Sequence, residues 1–365
     1  MSFVLGADFA VAVLLFLLIL QRKEGPAADR WLLVVLGCVA LIALVQDLGA
    51  RGVVPGWAEP LALFAGGSGF LIPPAALYLY VREVAGTYRQ TDLFCFLPAL
   101  IHLAWLQFET LAGREVYFVS GFVGVDASAY GAAWWLAAAS ILITLIFPVL
   151  GLREIARLRT RLRQGLARLE GRELRWAQYV LWSFIGGGAG GALLVSLALG
   201  LTGLDTHAAF AGVMVLAGLV AATIGICGLR QAPVPVADWP VDAPGETVTG
   251  SEADMAVLHT VMRSECLHLN DDLRVGDLAA SVGWPVARVS RVLRDGGTHF
   301  FDFVNAYRVE EARRLLSDPL LYRVSILAIA HDAGFGSKTS FNRIFKTMTG
   351  DTPTAYRRRH RQEPG

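Results

Sequence analysis

Cysteine is scarce in this chain, with four in 365 residues, and none stands in a CxxC pair. Cys38, Cys95 and Cys227 lie inside apolar runs and Cys266 in a polar stretch. That pattern speaks against a disulfide framework or a zinc site and fits buried, inert thiols. Charge is also sparse, at 17% of residues, and is missing from long stretches of the first 230 positions. Those stretches hold no paired acids and no histidine cluster, which removes the material for a proton relay, a metal site or a protease. No basic residue precedes the first apolar run and no small-residue cleavage site follows it, which disfavours a signal peptide. No cofactor, no metal and no catalytic role is expected.

What the chain has in abundance is apolar surface: 55% of residues are hydrophobic and the mean hydropathy is +0.50. Lys and Arg divide as 16 in residues 1–230 and 16 in residues 251–365, with none between. In the first part they are strung between uncharged runs, and in the second they are mixed throughout. A bilayer-crossing helix needs roughly 20 mostly apolar residues. Runs near 3–20, 31–49, 61–81, 93–108, 130–150, 177–201 and 208–229 predict a polytopic bundle of about seven transmembrane helices over 1–230. The intervening charges sort by side: loops 21–30, 82–92 and 151–176 carry 13 Lys or Arg and the alternate loops carry 2. The positive-inside rule then puts the N-terminus outside and the C-terminus in the cytoplasm.

Within the apolar part, Gln46, Asp47, Tyr78, Tyr80 and His102 are candidates for lining a ligand cavity, against the plainer reading of hydrogen bonding inside the bundle. In the Arg-rich stretch 153–175, Ile155, Leu158, Leu162, Leu166 and Leu169 recur at helical spacing. It reads as a topology determinant resting on anionic headgroups, or else as a subunit contact or signal relay. Residues 231–250 hold four prolines, three acids and no base, which makes them a semi-rigid linker.

Residues 251–365 read differently. A helix-turn-helix needs a small residue where its helices touch, a Gly near the turn and an apolar inner face on the second helix. Ala279, Gly283, Val289, Val292 and Leu293 meet this in LAASVGWPVARVSRVLR. Ala330, Gly334, Phe341, Ile344 and Phe345 meet it again in IAHDAGFGSKTSFNRIF, with a turn one residue longer. Phe300 to Leu316 reads as a long helix joining the two units. The predicted fold class is therefore all-α: a polytopic helix bundle followed by an all-helical double helix-turn-helix domain.

From Asp271 to Arg359 the chain resembles the AraC/XylS-type DNA-binding domain, carried by FFDFVNAYRVEEARRLLSDP and ILAIAHDAGFGSKTSFNRIFKTMTGDTPTAYRR. LIPPAALYLYVREV and FLPALIHL resemble a membrane-anchored subgroup of that family. The turn DGGTHFF is one residue short of the family pattern, which leaves the angle between the two units open. The resemblance implies a transcription regulator at the bacterial inner membrane with double-stranded DNA as partner. The lipid bilayer, RNA polymerase, a second copy of the chain and a small-molecule or membrane signal are its further expected partners.

The expected DNA-facing residues are Ala287, Arg288, Ser290, Arg291 and Arg294 on the first recognition helix. On the second they are Lys338, Thr339, Asn342, Arg343 and Lys346, with Ser337 as N-cap. Arg pairs bidentately with guanine and Asn with adenine in the major groove. Arg291, Asn342 and Arg343 are accordingly assigned to base edges by analogy with the family. Arg288, Arg294, Lys346 and Arg357–Arg359 are assigned to phosphates, which position without specifying. The domain's net charge is only +2, so specificity must come from docking two helices in successive major grooves. Two other readings stay open: a transporter or membrane enzyme with a regulatory tail, and a constitutive DNA-binding protein tethered for location.

Overall fold

The computed structural model describes residues 2–22, 26–50, 71–111, 116–119, 122–125, 130–169, 172–186, 219–231 and 252–362. The chain divides into two units, one of residues 1–156 with 174–234 and one of residues 157–173 with 235–365.

In the first unit, helix α1 (Ser2–Leu20) packs along α2 (Asp29–Ala50), and α2 packs on α3 (Ile72–Val84). The apolar runs of the sequence become the contact faces: Leu15 and Ile19 on α1, Leu32, Val35 and Leu36 on α2, and Leu77, Leu79 and Val81 on α3 are buried. Helical backbone at 219–229 passes close to both α1 and α2, since a Cβ on Gly225 would lie 2.6 Å from Leu15 and one on Gly228 2.4 Å from Leu32. Pro73 and Pro74 open α3, where the first turn has no use for their missing N–H groups. Polar ties fasten the ends of these helices. The Arg30 guanidinium donates two hydrogen bonds to the Glu83 carboxylate, at 3.1 and 2.9 Å, and Arg82 donates to Asp92 at 2.6 Å. A 3-10 turn (Gln90–Phe96) leads into α4 (Leu97–Leu111), and β1 (Val116–Val119) pairs antiparallel with β2 (Phe122–Val125). Helix α5 (Tyr130–Gly165) follows; its residues to Ala156 belong to the first unit and those from Arg157 to the second.

The expectation of a polytopic transmembrane bundle is corrected here. Among the described residues, no helix is long and apolar enough to cross a membrane. Two of the apolar runs are offset from the helices. Among the described residues of the stretch 61–81, helix begins at Ile72 and runs on through Arg82 and Glu83; the stretch 93–108 begins as the 3-10 turn. The resulting α3 and α4 have 13 and 15 residues, against the roughly 20 a bilayer requires. Helix α2 reaches 22 residues but includes Asp29, Arg30 and Asp47, and α5 contains Pro148 and ends in the arginine-rich stretch. The placement in an inner membrane with an outside N-terminus, and the bilayer as a partner, rest on those spans and are withdrawn with them. Residues 61–70, 187–201, 208–218 and 232–250 of the expected spans and linker lie outside the described residues.

The second unit holds α6 (Glu252–Ser264), α7 (Val275–Val282), α8 (Val286–Asp295), α9 (Phe300–Ser317), α10 (Ile326–Asp332), α11 (Lys338–Thr349) and α12 (Pro353–Gln362). Leu258 and Met262 of α6, Leu278 and Ala279 of α7, Val289, Val292 and Leu293 of α8 and Phe300, Phe303 and Val304 of α9 form one core. A second core is mostly aromatic: Phe335, Phe341, Phe345 and Tyr356 follow one another with ring centroids 5.0, 5.5 and 5.4 Å apart. Helix α9 packs against members of both cores and so carries both. The Arg-rich residues 157–173, which the sequence groups with the first 230, pack within this second unit.

Candidate nucleic-acid interface

Each half of the second unit contains a pair of helices separated by a turn. Helix α7 stops at Gly283, whose φ of +68° is the left-handed conformation that a Cβ disfavours. Pro285 then caps α8 from an extended conformation. In the second half Gly334 has φ +82°, and a Cβ there would lie 2.3 Å from the His268 carbonyl oxygen. Only glycine satisfies both demands at that corner. Ser337 caps α11, its hydroxyl oxygen accepting a hydrogen bond from the Ser340 N–H at 3.2 Å.

Helix α11 divides cleanly into two faces. Ser340, Phe341, Ile344 and Phe345 are buried, and full burial of each Phe contributes roughly 1.5–3 kcal/mol. Lys338, Thr339, Asn342 and Lys346 are exposed and Arg343 is half-buried. This face offers two lysine ammonium donors, an amide that both donates and accepts, and a guanidinium fork, the inventory a major groove is read with.

Helix α8 is less simply divided. Val289, Val292 and Leu293 face the core. Ser290, expected on the outward face, is buried at 7% exposure, so that placement is corrected: position 290 belongs to the buried arc of α8 together with Val289, Val292 and Leu293. Arg294 is exposed, and Ala287 and Arg291 are half-buried. Arg288 is half-buried too, and its guanidinium is engaged within the protein: it donates to Asp254 of α6 at 2.8 Å and lies 4.1 Å from the Trp284 ring centre. The sequence carries no periodic signal for a partner 34 residues upstream, so Asp254 does not stand out there.

The basic run at the C-terminus separates in the same way. Arg357 donates to the Val324 carbonyl at 2.7 Å, and burial lowers its pKa. Arg359 pairs with Asp351 at 2.6 Å, while Arg358 is exposed. Arg357 therefore ties α12 to the chain ahead of α10.

Beneath the two helix pairs lies a buried cation. Arg308 of α9 is 2% exposed and donates to three backbone carbonyls: His268 at 2.8 Å, Asn270 at 2.6 Å and Ala167 at 3.3 Å. Burial lowers its pKa to about 10, with Asp271 opposing the shift and Arg168 adding to it. A buried charge is tolerable only when its donors are met in this way. His268, also buried, has its pKa lowered by loss of solvent.

Residues 278–359 match the family model of a helix-turn-helix domain, of AraC type. A 92-residue stretch is 36% identical to an uncharacterized helix-turn-helix-type transcriptional regulator of Staphylococcus aureus (strain COL), covering 25% of this chain and 12% of that one. The corresponding regulator of strain MSSA476 matches to the same extent. A stretch of 89 residues is 30% identical to the transcriptional activator NphR of Rhodococcus sp., covering 24% of this chain and 26% of that protein. The chain thus aligns with between about an eighth and a quarter of the length of these relatives. No solved structure matches.

Proposed function

We propose that this protein is a transcription regulator that binds specific double-stranded DNA through two helix-turn-helix units in one domain, residues 251–365. The observation that carries the reading is α11, with Lys338, Thr339, Asn342 and Lys346 exposed along one face and Phe341, Ile344 and Phe345 anchoring the other. A recognition helix needs that division, because only a helix held from behind can present its front to a groove. The match of 278–359 to a helix-turn-helix domain supports it.

On α11, Asn342 and Arg343 address base edges, and Lys338, Thr339 and Lys346 address the edges or phosphates flanking them. On α8, Arg291 reads bases and Arg294 meets a phosphate, with Ala287 near enough for apolar contact. Arg288 serves mainly to brace α8 against α6. The first unit serves as the part through which a signal adjusts DNA binding. The test is selection of bound sequences from a random duplex library by the full chain. Recovery of a defined motif supports the reading, and binding without any sequence preference refutes it.

A further inference from the structure

Residues 157–169 are required by no part of the helix-turn-helix pattern, yet they touch both halves of the second unit. Leu166 forms an isolated antiparallel bridge with Arg274, at the entrance to α7. The Ala167 N–H donates to the Leu273 carbonyl at 3.2 Å, and the Ala167 methyl sits in the core of the first half. One residue on, Arg168 pairs with Asp271 at 2.9 Å, and a Cβ on Gly336 would lie 2.4 Å from its guanidinium and 2.8 Å from the Asp271 carboxylate. Gly336 immediately precedes the cap of α11. Between the halves, Asn305 and Arg308 of α9 both donate to the Ala167 carbonyl, at 3.2 and 3.3 Å. Arg163 adds a contact over the Phe301 ring, 5.8 Å from its centre.

We infer that residues 157–169 form a spacing strap, with Ala167 and Arg168 as positioning residues that set the separation of α8 and α11 and hence the half-site spacing the protein accepts. The inference rests on the DNA-reading function proposed above. The strap meets the first half just before its first helix and the second half just before its reading helix, while its centre is fixed to the connecting helix. Two modules joined by a helix can pivot about its ends, and a third element that is bonded to the first half and closely packed against Gly336 of the second restricts that freedom. Grooves on one face of a duplex recur each helical turn, so a reader with fixed separation accepts one spacing and a loosened one accepts several.

The test uses the full chain and duplexes carrying about 30 random base pairs, room for two half-sites one turn apart. Wild type is compared with Ala167→Asp, which puts a charge in the strap's seat, and with Arg168→Ala. A third variant exchanges the pair as Arg168→Asp with Asp271→Arg. Thermal unfolding of each variant runs alongside the selection. The strap predicts that wild type recovers two motifs at one spacing. Ala167→Asp and Arg168→Ala should recover the same two motifs over a spread of spacings. Affinity for the wild-type spacing should fall about tenfold, a usual size for coupling between separated groups. The pair exchange should restore the single spacing. If Ala167→Asp does not fold, Arg168→Ala and the exchange carry the test alone. Identical spacing in wild type and Arg168→Ala overturns the strap. A uniform loss on every duplex, in step with a lowered unfolding midpoint, also overturns it, since that is what a plain brace would do. Failure of wild type to recover any motif overturns both the strap and the DNA-reading function.

Discussion

The side-chain amide of Asn305 donates to the backbone carbonyl of Ala167 at 3.2 Å, joining two positions 138 residues apart in the chain. Arg308, one helical turn further along α9, donates to the same oxygen. The carbonyl of one small residue is thus the shared acceptor of a buried polar node, and the node can be probed from its donor side.

Arg308→Met should destabilise the protein strongly. It leaves the carbonyls of His268 and Asn270 without this donor, while that of Ala167 keeps Asn305, and stranded buried acceptors cost about 1–3 kcal/mol each before relaxation. A net loss of about 3 kcal/mol is expected, and Arg308→Lys, which keeps the charge but not the fork, should lose somewhat less. Chemical denaturation of the second unit's transition within the full chain measures both. A change below about 0.5 kcal/mol in Arg308→Met, the range of ordinary surface substitutions, would remove the node's structural role.

Gly283→Ala and Gly334→Ala separate conformation from contact. Both positions are left-handed, which costs a residue with a Cβ about 1 kcal/mol. At Gly283 nothing lies within 4 Å of the added carbon, so that cost is the whole effect; at Gly334 it would strike the His268 carbonyl and the Leu269 backbone. Gly334→Ala should therefore cost at least about 2 kcal/mol more, as overpacking against backbone does. Equal losses at the two sites would contradict the close approach at Gly334.

Arg343→Ala and Arg288→Ala should fail in different assays. Loss of a bidentate base contact costs roughly 1–3 kcal/mol and relaxes preference at one position of the recovered motif. Arg288→Ala should leave the motif unchanged and lower stability by about 1 kcal/mol or less, because its Asp254 pair is partly exposed and its Trp284 contact is a modest cation–π interaction. Equal weakening by Arg343→Ala on motif and scrambled duplexes would move Arg343 to the phosphates.

The second unit should lose stability on mild acidification. Burial holds the pKa of His268 below its ordinary 6.5, and burial with the neighbouring Arg263 does the same to His259. The unfolded chain therefore binds more protons than the folded one once the pH drops under about 6.5, and stability falls from pH 7 toward pH 5. His268→Phe should make that fall shallower, whatever it does to stability at pH 7. An unchanged slope would mean His268 is not the responsible group.

The double helix-turn-helix was legible because its signals are local. Ala279 with Gly283 and Ala330 with Gly334 mark the turns, the inner faces of α8 and α11 repeat at helical spacing, and the joining helix expected at Phe300 to Leu316 is observed at Phe300–Ser317. The front of α11 could be drawn from the same periodicity. The periodicity failed on Ser290, because α8 is flanked on more than one side and its buried arc is wider than two apolar positions per turn imply. Arg288 and Arg357 look like phosphate contacts in one dimension; what engages them is an acid 34 positions upstream and carbonyls 33 and 35 positions upstream. The placement of 157–173 was invisible for a related reason. It depends on a backbone carbonyl, which every residue type supplies. The membrane bundle was an error of another kind: hydropathy measures how apolar a run is, and not where Pro73, Pro74 or the 3-10 turn at Gln90–Phe96 makes the helix begin.

The two faces of α11 belong to separate chemistries, rings behind and polar tips in front. Exchanges at Lys338, Thr339, Asn342 or Lys346 alter no part of the aromatic ladder from Phe335 to Tyr356. A descendant could be redirected to a new operator by rewriting those tips alone, and natural variation at these four positions is free to follow the promoter instead of the fold.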